Sequence, residues 1–191
     1  LDRAATHPHP EEKARNQALV NFLIPIVKGW NTEQANEITS LGVQVHGGMG
    51  FIEETGAAQY YRDARITPIY EGTTGIQALD LIGRKLASEK GVTAAAVLAE
   101  VKATVAKLAA AGSDFASLKA NLEAGIAQAE ACVNFVLETF GTQPRLPAAG
   151  SVPFLKLMGI LLGGWQLARG ALIAQAKLGK DGADTDFYTA K

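Results

Sequence analysis

The residues best suited to chemistry lie between Gln44 and Gln77, and Glu71 is the leading candidate among them. Glu71 stands in a Tyr-Glu-Gly-Thr sequence, beside an aromatic ring and directly before a predicted helix. A carboxylate in a water-poor pocket has a raised pKa, because desolvation disfavours its charged form. Such a group can act as a general base near neutral pH. A second interpretation stays open at this point, in which Glu71 is a surface residue that complements a helix dipole.

Other features of the same stretch allow both a binding and a structural interpretation. The Gly47-Gly48 pair lets a ligand approach bare backbone, but a double glycine is also a common helix cap. The block Arg62–Arg65, with Glu53 and Glu54 upstream, could hold an anionic ligand. We favour a structural ion-pair network that fixes the loop. His46 is interpreted either as a pocket residue or as a hydrogen-bonded interior histidine.

The sequence pattern predicts that the elements that position these residues are helices. Apolar residues recur at three- and four-residue steps from Glu11 to Val45, and Pro25 predicts a kink or a new helix within that run. We expect Leu1–Pro10, with its two His-Pro pairs, to be a disordered lead-in. Residues 47–56 are expected to form a compact non-helical passage.

Further local signals divide the rest of the chain into helical segments. A short helix is predicted at residues 57–65, and Thr73 or Thr74 should cap the next helix, which Gly91 ends. Beyond it the sequence is rich in alanine, with apolar stripes that predict three helices, the last at about residues 154–178. Residues 142–153 contain three prolines and predict a linker, and the chain from residue 179 onward is expected at the surface.

No strand-like alternation of useful length occurs in the sequence, which predicts an all-α fold of antiparallel helical bundles. We expect one unit at residues 1–90 and an alanine-rich helical extension at residues 91–191, joined near Gly91. The 191 residues are 48% hydrophobic and 19% charged, as in ordinary globular proteins.

Composition also excludes several classes of function. The net charge of −1 gives no electrostatic basis for nucleic-acid binding. The lone Cys132 excludes an internal disulfide framework and a cysteine metal cluster, and we interpret it as a buried structural thiol in a cytoplasmic protein. No metal site is predicted. The most hydrophobic run, at residues 157–164, is too short to span a membrane, so no membrane segment is expected.

Three motifs, QVHGGMGFIEE, YYRDARI and IYEGTTGIQ, carry a family resemblance. In this order and spacing they closely resemble the C-terminal helical domain of the FAD-dependent acyl-CoA dehydrogenases, over roughly Trp30 to Leu86. The resemblance implies that Glu71 removes the α-proton of an acyl-CoA thioester while the β-hydrogen passes to FAD as hydride, giving a 2,3-enoyl-CoA. It also implies that the Glu71 amide holds the thioester oxygen, with Tyr70 and Gly72 beside the substrate.

The resemblance further implies a set of contacts and partners. The Gln-x-x-Gly-Gly motif would contact the adenosine-diphosphate half of FAD, commonly the FAD of a neighbouring subunit in a homo-oligomeric dimer or tetramer. An electron-transfer flavoprotein is the implied electron acceptor. The residues that match cofactor contacts are Gln44, Val45, His46, Gly47, Gly48, Thr73 and Gly75, the last through its backbone alone.

Two departures from the usual family pattern shape the functional prediction. The helical extension after the Ile-Gln helix resembles the bacterial subgroup that includes 3-methylmercaptopropionyl-CoA dehydrogenases. The family's N-terminal helical and middle β-domains are missing, and the chain begins at Leu1. We therefore expect a C-terminal fragment that does not retain FAD and is inactive alone. The alternative prediction is a non-catalytic helical oligomerisation or interaction module.

Overall fold

The computed structural model describes residues 1–178 and 184–190, and its regular elements over these residues are all helical. The all-α prediction is therefore confirmed. The helices, in chain order, are α1 (Asp2–Thr6), α2 (Pro10–Val45), α3 (Gly48–Phe51), α4 (Ala57–Arg65), α5 (Thr74–Asp80), α6 (Val92–Ala111), α7 (Ala116–Thr139), α8 (Arg145–Ala149), α9 (Ser151–Lys177) and α10 (Thr185–Thr189). Short 3₁₀ turns lie at Glu53–Thr55 and Ser113–Phe115, and a π-helical turn follows α5 at Leu81–Ala87.

The beginning of the chain differs from the disordered lead-in that we expected. Helix α1 covers Asp2–Thr6 and packs on α2, with Ala4 buried at 5% exposure. The His-Pro pairs occupy the break between the two helices, and Pro10 opens α2 at a position where a helix has no use for an amide proton. The prolines thus separate two helices and leave the first residues free to form a helix of their own.

Helix α2 runs for 36 residues, about 54 Å, and no new helix begins at Pro25. Pro25 lies fully buried inside the helix, next to Phe22 and Ile26, which are also buried. Interior proline removes one backbone hydrogen bond and disfavours a helix. Burial of the surrounding apolar side chains offsets that cost here, so the helix continues past the proline.

Two segments expected to lack regular structure are helical in part. Residues 47–56 contain α3 and a 3₁₀ turn, and residues 142–153 contain α8 and the start of α9. The α3 turn lies tightly against α2. A side-chain carbon added to Gly50 would come within 2.2 Å of the Val43 carbonyl oxygen, so only glycine fits there. Pro144 precedes α8 and Pro153 lies in the first turn of α9, positions where proline is compatible with a helix start.

The π-helical turn widens the helix that follows the candidate site. Backbone hydrogen bonds there span five residues, from the Ser88 amide to the Gly83 carbonyl (3.0 Å) and from the Gly91 amide to the Leu86 carbonyl (2.9 Å). Gly91 then adopts a left-handed conformation with φ 74° and ends the segment, as expected. The widened turn places its apolar side chains in the core, where Leu81, Ile82 and Leu86 are buried.

Helix α9 joins the two halves of the chain in one core. It packs on α2 through Gly159, which lies against the Trp30 ring, and on α7 through Leu161. On the α6 side, Trp165 donates its indole hydrogen to the Thr104 hydroxyl at 2.7 Å. Cys132 is half-buried against this core. The buried residues come from both predicted units, and the boundary between residues 1–90 and 91–191 stays a prediction.

The outer face of α9 is more apolar than the short run at residues 157–164 suggested. By length and hydropathy alone the 27-residue helix is sufficient to cross a membrane, although a third of its most apolar window is buried in the fold. Its exposed apolar side chains include Ile160, Leu167 and Ile173. The expected absence of a membrane segment stays a prediction. Of the surface tail predicted from residue 179 onward, residues 179–183 and 191 lie outside the described part, and α10 is mostly exposed.

Candidate active site

The turn that carries Glu71 connects α4 to α5. The amides of Ile69 and Tyr70 bond to the Ile66 carbonyl at 3.0 and 3.3 Å after α4 has ended. Glu71 and Gly72 then adopt positive φ angles of 55° and 94° in succession. Of the described non-glycine residues, only Glu71 and Lys90 have such a conformation. Left-handed backbone costs free energy at a residue with a side chain, and it tends to occur at functional sites.

Helix α5 begins directly after this turn and fixes its far end. Thr73 is the N-cap, and its hydroxyl accepts a hydrogen bond from the Ile76 amide at 3.4 Å, so the predicted cap is confirmed. The side-chain amide of Gln77, which is only 8% exposed, donates to the Glu71 carbonyl oxygen at 3.1 Å. Helix α5 therefore holds the backbone of the turn through Gln77.

The carboxylate of Glu71 forms an ion pair that the sequence reasoning missed. Lys28 Nζ lies 2.7 Å from Glu71 Oε2, and the Glu71 side chain is 65% exposed. The hydrogen bond from Lys28, and next its charge, lower the pKa of Glu71 below the ordinary value of 4.5, against a smaller opposing effect of desolvation. The expected water-poor surroundings with a raised pKa are thus wrong for the described residues, because Glu71 lies at the surface beside a cation.

Of the side chains that hold Glu71, Gln77 could have been predicted from the local sequence and Lys28 could not. Gln77 ends the IYEGTTGIQ motif, so a search for side-chain donors close in sequence could have found it. Lys28 lies 43 positions before Glu71 on α2, and Glu33, which accepts a hydrogen bond from the Thr74 hydroxyl, lies 41 positions before Thr74. No local pattern identifies residues that the tertiary fold brings together in this way.

A cleft of about 810 Å³ opens beside the turn, between α2, α4 and α9. Thr73 and Gly75, which match cofactor contacts, line it together with Trp30 of α2. Charged side chains of both signs, Glu33 and Lys156 among them, also border the cleft. Its size and mixed polar lining are compatible with part of a large, polar ligand.

The second group of predicted cofactor residues lies at and just beyond the C-terminal end of α2, outside the cleft that Thr73 and Gly75 line. Gln44 and Val45 end α2, His46 is exposed with Nδ1 at 2.9 Å from the Gly42 carbonyl, and a side chain added at Gly47 or Gly48 would meet open space. His46 is therefore not an interior residue. Gln44 lies sixteen positions after Lys28 on α2, which corresponds to about 24 Å along the helix. The structure does not bring this group to Glu71. The backbone at Gly47 and Gly48 is accessible to a ligand.

The charged YYRDAR block makes the structural contacts that we favoured. Arg62 pairs with Glu53 at 3.1 Å and also donates to the Gln59 side chain, which in turn donates to Asp63 at 2.6 Å. The pair fastens α4 to the 3₁₀ turn at Glu53–Thr55. Both partners of the ion pair are more than half exposed, so it contributes at most about 1 kcal/mol. No group of three potential ligands among His, Cys, Asp and Glu converges on a metal site within the described residues.

Comparison with known proteins gives a consistent result over nearly all of the chain. Residues 3–87 match the family model described as acyl-CoA dehydrogenase, C-terminal domain. Residues 97–191 match the model described as acetyl-CoA dehydrogenase C-terminal like. Residues 88–96 lie between the two matches.

Individual relatives agree with the family models. The chain is 50% identical over 187 residues to a 3-methylmercaptopropionyl-CoA dehydrogenase of Ruegeria pomeroyi, covering 98% of this chain and 32% of the relative. It is 34% identical to the broad-specificity linear acyl-CoA dehydrogenase FadE5 of Mycobacterium tuberculosis, over 90% of this chain and 29% of that protein. A short-chain specific acyl-CoA dehydrogenase of Rattus norvegicus is 51% identical over 57 residues, 30% of this chain and 14% of its own length.

The relatives from Ruegeria pomeroyi and Mycobacterium tuberculosis match nearly the whole of this chain, and the chain spans about a third of their length. Both halves agree with C-terminal regions of one family, and the fold has the all-helical architecture that the resemblance implied. The chain therefore belongs to the acyl-CoA dehydrogenase family, in which it corresponds to the C-terminal helical domain and the helical region that follows it.

Proposed function

We propose that this chain is the base-bearing C-terminal part of an FAD-dependent acyl-CoA dehydrogenase, in which Glu71 abstracts the α-proton of an acyl-CoA thioester. The observation that carries the proposal is the turn at Glu71. A carboxylate stands there on strained left-handed backbone, held by Gln77 and Lys28, in the motif where the family has its base. Family membership and the names of the relatives support the reaction class.

The proposed reaction breaks two C–H bonds and forms one carbon–carbon double bond. The Glu71 carboxylate accepts the α-proton, and the electron pair left on the α-carbon forms the new double bond as the β-hydrogen departs as hydride. FAD, when bound, supplies the acceptor for that hydride. We propose that the Glu71 backbone amide donates to the thioester oxygen, where negative charge develops as the proton leaves. Tyr70 and Gly72 would flank the same substrate group.

Lys28 has two opposing effects on the proposed base. Because it lowers the pKa of Glu71, it keeps the carboxylate ionised and ready to accept a proton. The same ion pair weakens Glu71 as a base. A substrate that displaces Lys28 and excludes water raises the pKa of the carboxyl group, since desolvation favours its neutral form.

The distribution of the proposed cofactor residues favours an oligomer. Thr73 and Gly75 lie in the cleft beside Glu71, whereas Gln44–Gly48 lie at and just beyond the C-terminal end of α2, about 24 Å along the helix from Lys28. We propose that the two groups serve different FAD molecules, with Gln44–Gly48 reaching the adenosine-diphosphate half of a neighbouring subunit's FAD. An electron-transfer flavoprotein is the proposed electron acceptor of the whole enzyme. On its own the chain is proposed to be inactive and to hold no FAD.

The test is Glu71→Gln in the whole FAD-containing protein that includes this chain. The variant should retain FAD absorbance but lose turnover of butyryl-CoA and 3-methylmercaptopropionyl-CoA with an artificial electron acceptor. Glu123→Gln is a matched control, since Glu123 is also an exposed carboxylate paired with a lysine, Lys119, at 3.0 Å. Near-normal turnover by the Glu71 variant would reject the assignment of the base.

A second candidate function, a non-catalytic helical association module, is favoured by the outer face of α9. Ile160 and Leu167 lie two turns apart on it and are 53% and 75% exposed. In that case the 191-residue chain should self-associate in analytical ultracentrifugation, and Leu167→Lys should weaken the association. A monomer at all concentrations would contradict this candidate, while a yellow preparation that oxidises acyl-CoA would contradict the inactivity of the isolated chain.

A further inference from the structure

We infer that Gln77 is a positioning residue for Glu71: its side-chain amide holds the Glu71 carbonyl and so fixes the turn that presents the carboxylate. The inference rests on the proposed function, because it concerns the placement of the proposed base. Gln77 touches neither the carboxylate nor, on this view, the substrate. It acts through the backbone of the residue that does.

Burial gives Gln77 a fixed place from which to act. Gln77 is 8% exposed and its backbone amide bonds to the Thr73 carbonyl at 2.9 Å, within the first turns of α5. The next residue, Ala78, and Leu81 one turn later are fully buried in the core. A buried amide group is stable only when it is hydrogen-bonded, and the Glu71 carbonyl at 3.1 Å supplies a partner. The core therefore sets the position of the Gln77 donor, and the donor sets the position of the turn.

The turn itself needs such an external constraint. Glu71 has φ 55° and Gly72 has φ 94°, and left-handed backbone at a glutamate persists only where its surroundings enforce it. Gln77 contacts both residues of the turn. A side-chain carbon added to Gly72 would come within 3.0 Å of Gln77 Nε2, so the amide group lies directly against the Gly72 backbone. The glycine is what allows Gln77 to reach the carbonyl behind it.

No other described contact replaces this one. Lys28 holds the Glu71 carboxylate and not its backbone, and the Thr73 hydroxyl bonds forward to Ile76. Without the Gln77 donor, the peptide between Glu71 and Gly72 is free to rotate toward ordinary backbone angles, which turns the side chain of Glu71 to a new direction. A displacement of about 1 Å at a reacting group can lower a rate about 100-fold.

The experiment compares Gln77→Met and Gln77→Leu with two references in the whole FAD-containing protein. Both substitutions keep nearly the volume of glutamine and remove the donor, so either one decides the question if the other does not fold. Thr104→Val is the structural control, because Thr104 is also buried and its replacement removes side-chain hydrogen bonds elsewhere in the same core, one accepted from Trp165 and one donated to the Glu100 carbonyl. Glu71→Gln tests the proposed function itself. The substrate is butyryl-CoA, with and without deuterium at the α-carbon.

The donor-free variants should lower kcat by about 10- to 100-fold with a KM change of less than about threefold, since base placement and not substrate affinity is altered. Their kinetic isotope effect for α-deuterium should exceed that of the unaltered protein, as proton abstraction becomes the slow step. Thr104→Val should change stability alone. If Glu71→Gln is inactive while the Gln77 variants keep the kcat and isotope effect of the unaltered protein, or behave like Thr104→Val, the positioning role is overturned and the proposed function stands. If Glu71→Gln is active, the proposed function fails.

Discussion

The contact between Gly159 and Trp30 gives the sharpest test of how the two halves of the chain are joined. Replacement of Gly159 by alanine adds a carbon that would lie 2.3 Å from Trp30 Cγ and 2.8 Å from Trp30 Cβ. These atoms form the base of the tryptophan side chain, so rotation of the ring cannot relieve the clash. Gly163, one turn further along α9, faces open space, and the same substitution there meets no atom within 4 Å.

The two alanine variants share a gain in helix propensity and differ in the packing cost. Each gains roughly 0.5–1 kcal/mol, because alanine is a better helix former than glycine. At Gly159, carbon atoms that prefer a separation of about 3.5–4.0 Å would be forced more than 1 Å closer, so α2 and α9 must move apart. Overpacking of this kind costs about 1–3 kcal/mol. The difference between the two variants measures this packing cost alone.

We expect Gly163→Ala to be slightly more stable than the unaltered chain and Gly159→Ala to be less stable. Thermal unfolding followed by circular dichroism at 222 nm should separate the two variants by roughly 2–12 °C, since 1 kcal/mol corresponds to about 2–4 °C at this chain length. A Gly159→Ala variant that melts at or above Gly163→Ala would refute the packing of α9 on Trp30. The double variant with Trp30→Ala should lose much of the packing cost, because the clashing ring is gone.

Three further predictions concern the turn. Lys28→Met should raise the pKa of Glu71 toward 4.5, measured by NMR titration. Because the pKa of Glu71 is lowered in the folded state, the stability that the ion pair provides is present above the unfolded-state pKa and is lost as pH falls through the folded-state pKa. The difference in unfolding free energy between the unaltered chain and Lys28→Met should therefore disappear on acidification. A difference that stays constant with pH would contradict the ion pair. Thr73→Ala should cost about 0.5–2 kcal/mol in urea unfolding, and Thr73→Ser much less, because serine keeps the N-cap oxygen. Gly72→Ala should lower the free energy of unfolding by more than about 1 kcal/mol, because the φ of Gly72 is 94°. Gly75→Ala should not, because a side-chain carbon added there meets no atom closer than 3.8 Å. Equal effects of the two substitutions would argue against the left-handed turn.

Features of the site that depend on neighbours in sequence could be predicted, and the N-cap shows why. The Thr73 hydroxyl bonds to an amide three residues later, so residue type and order contain the whole interaction. The bounds of α4, predicted at residues 57–65, follow in the same way from the glycine before it and the proline after it. The all-helical fold was also accessible, because apolar spacing is a property of each segment alone.

Features that depend on tertiary contacts could not be predicted from the residues by local reasoning. The surroundings of Glu71 are set by Lys28, which lies 43 positions away, so the direction of its pKa shift was out of reach. Helix α2 continues through Pro25 because the core around it compensates for the lost hydrogen bond, and a proline rule applied to local sequence does not include that compensation. The role of Gly159 likewise exists only once Trp30 is placed against it.

The π-helical turn at Leu81–Ala87 has a consequence for how related sequences should align. A π turn holds one residue more than an α turn, and its five-residue hydrogen bonds absorb that residue without disturbing the helix on either side. Relatives that lack one residue within positions 81–87 can close the segment as ordinary α-helix and keep the Thr73 cap upstream unchanged. Single-residue gaps between homologues should therefore collect in this segment, at the end of the first family match, and should be rare in the turn at Glu71, where two successive left-handed residues and the Gln77 hydrogen bond fix the spacing.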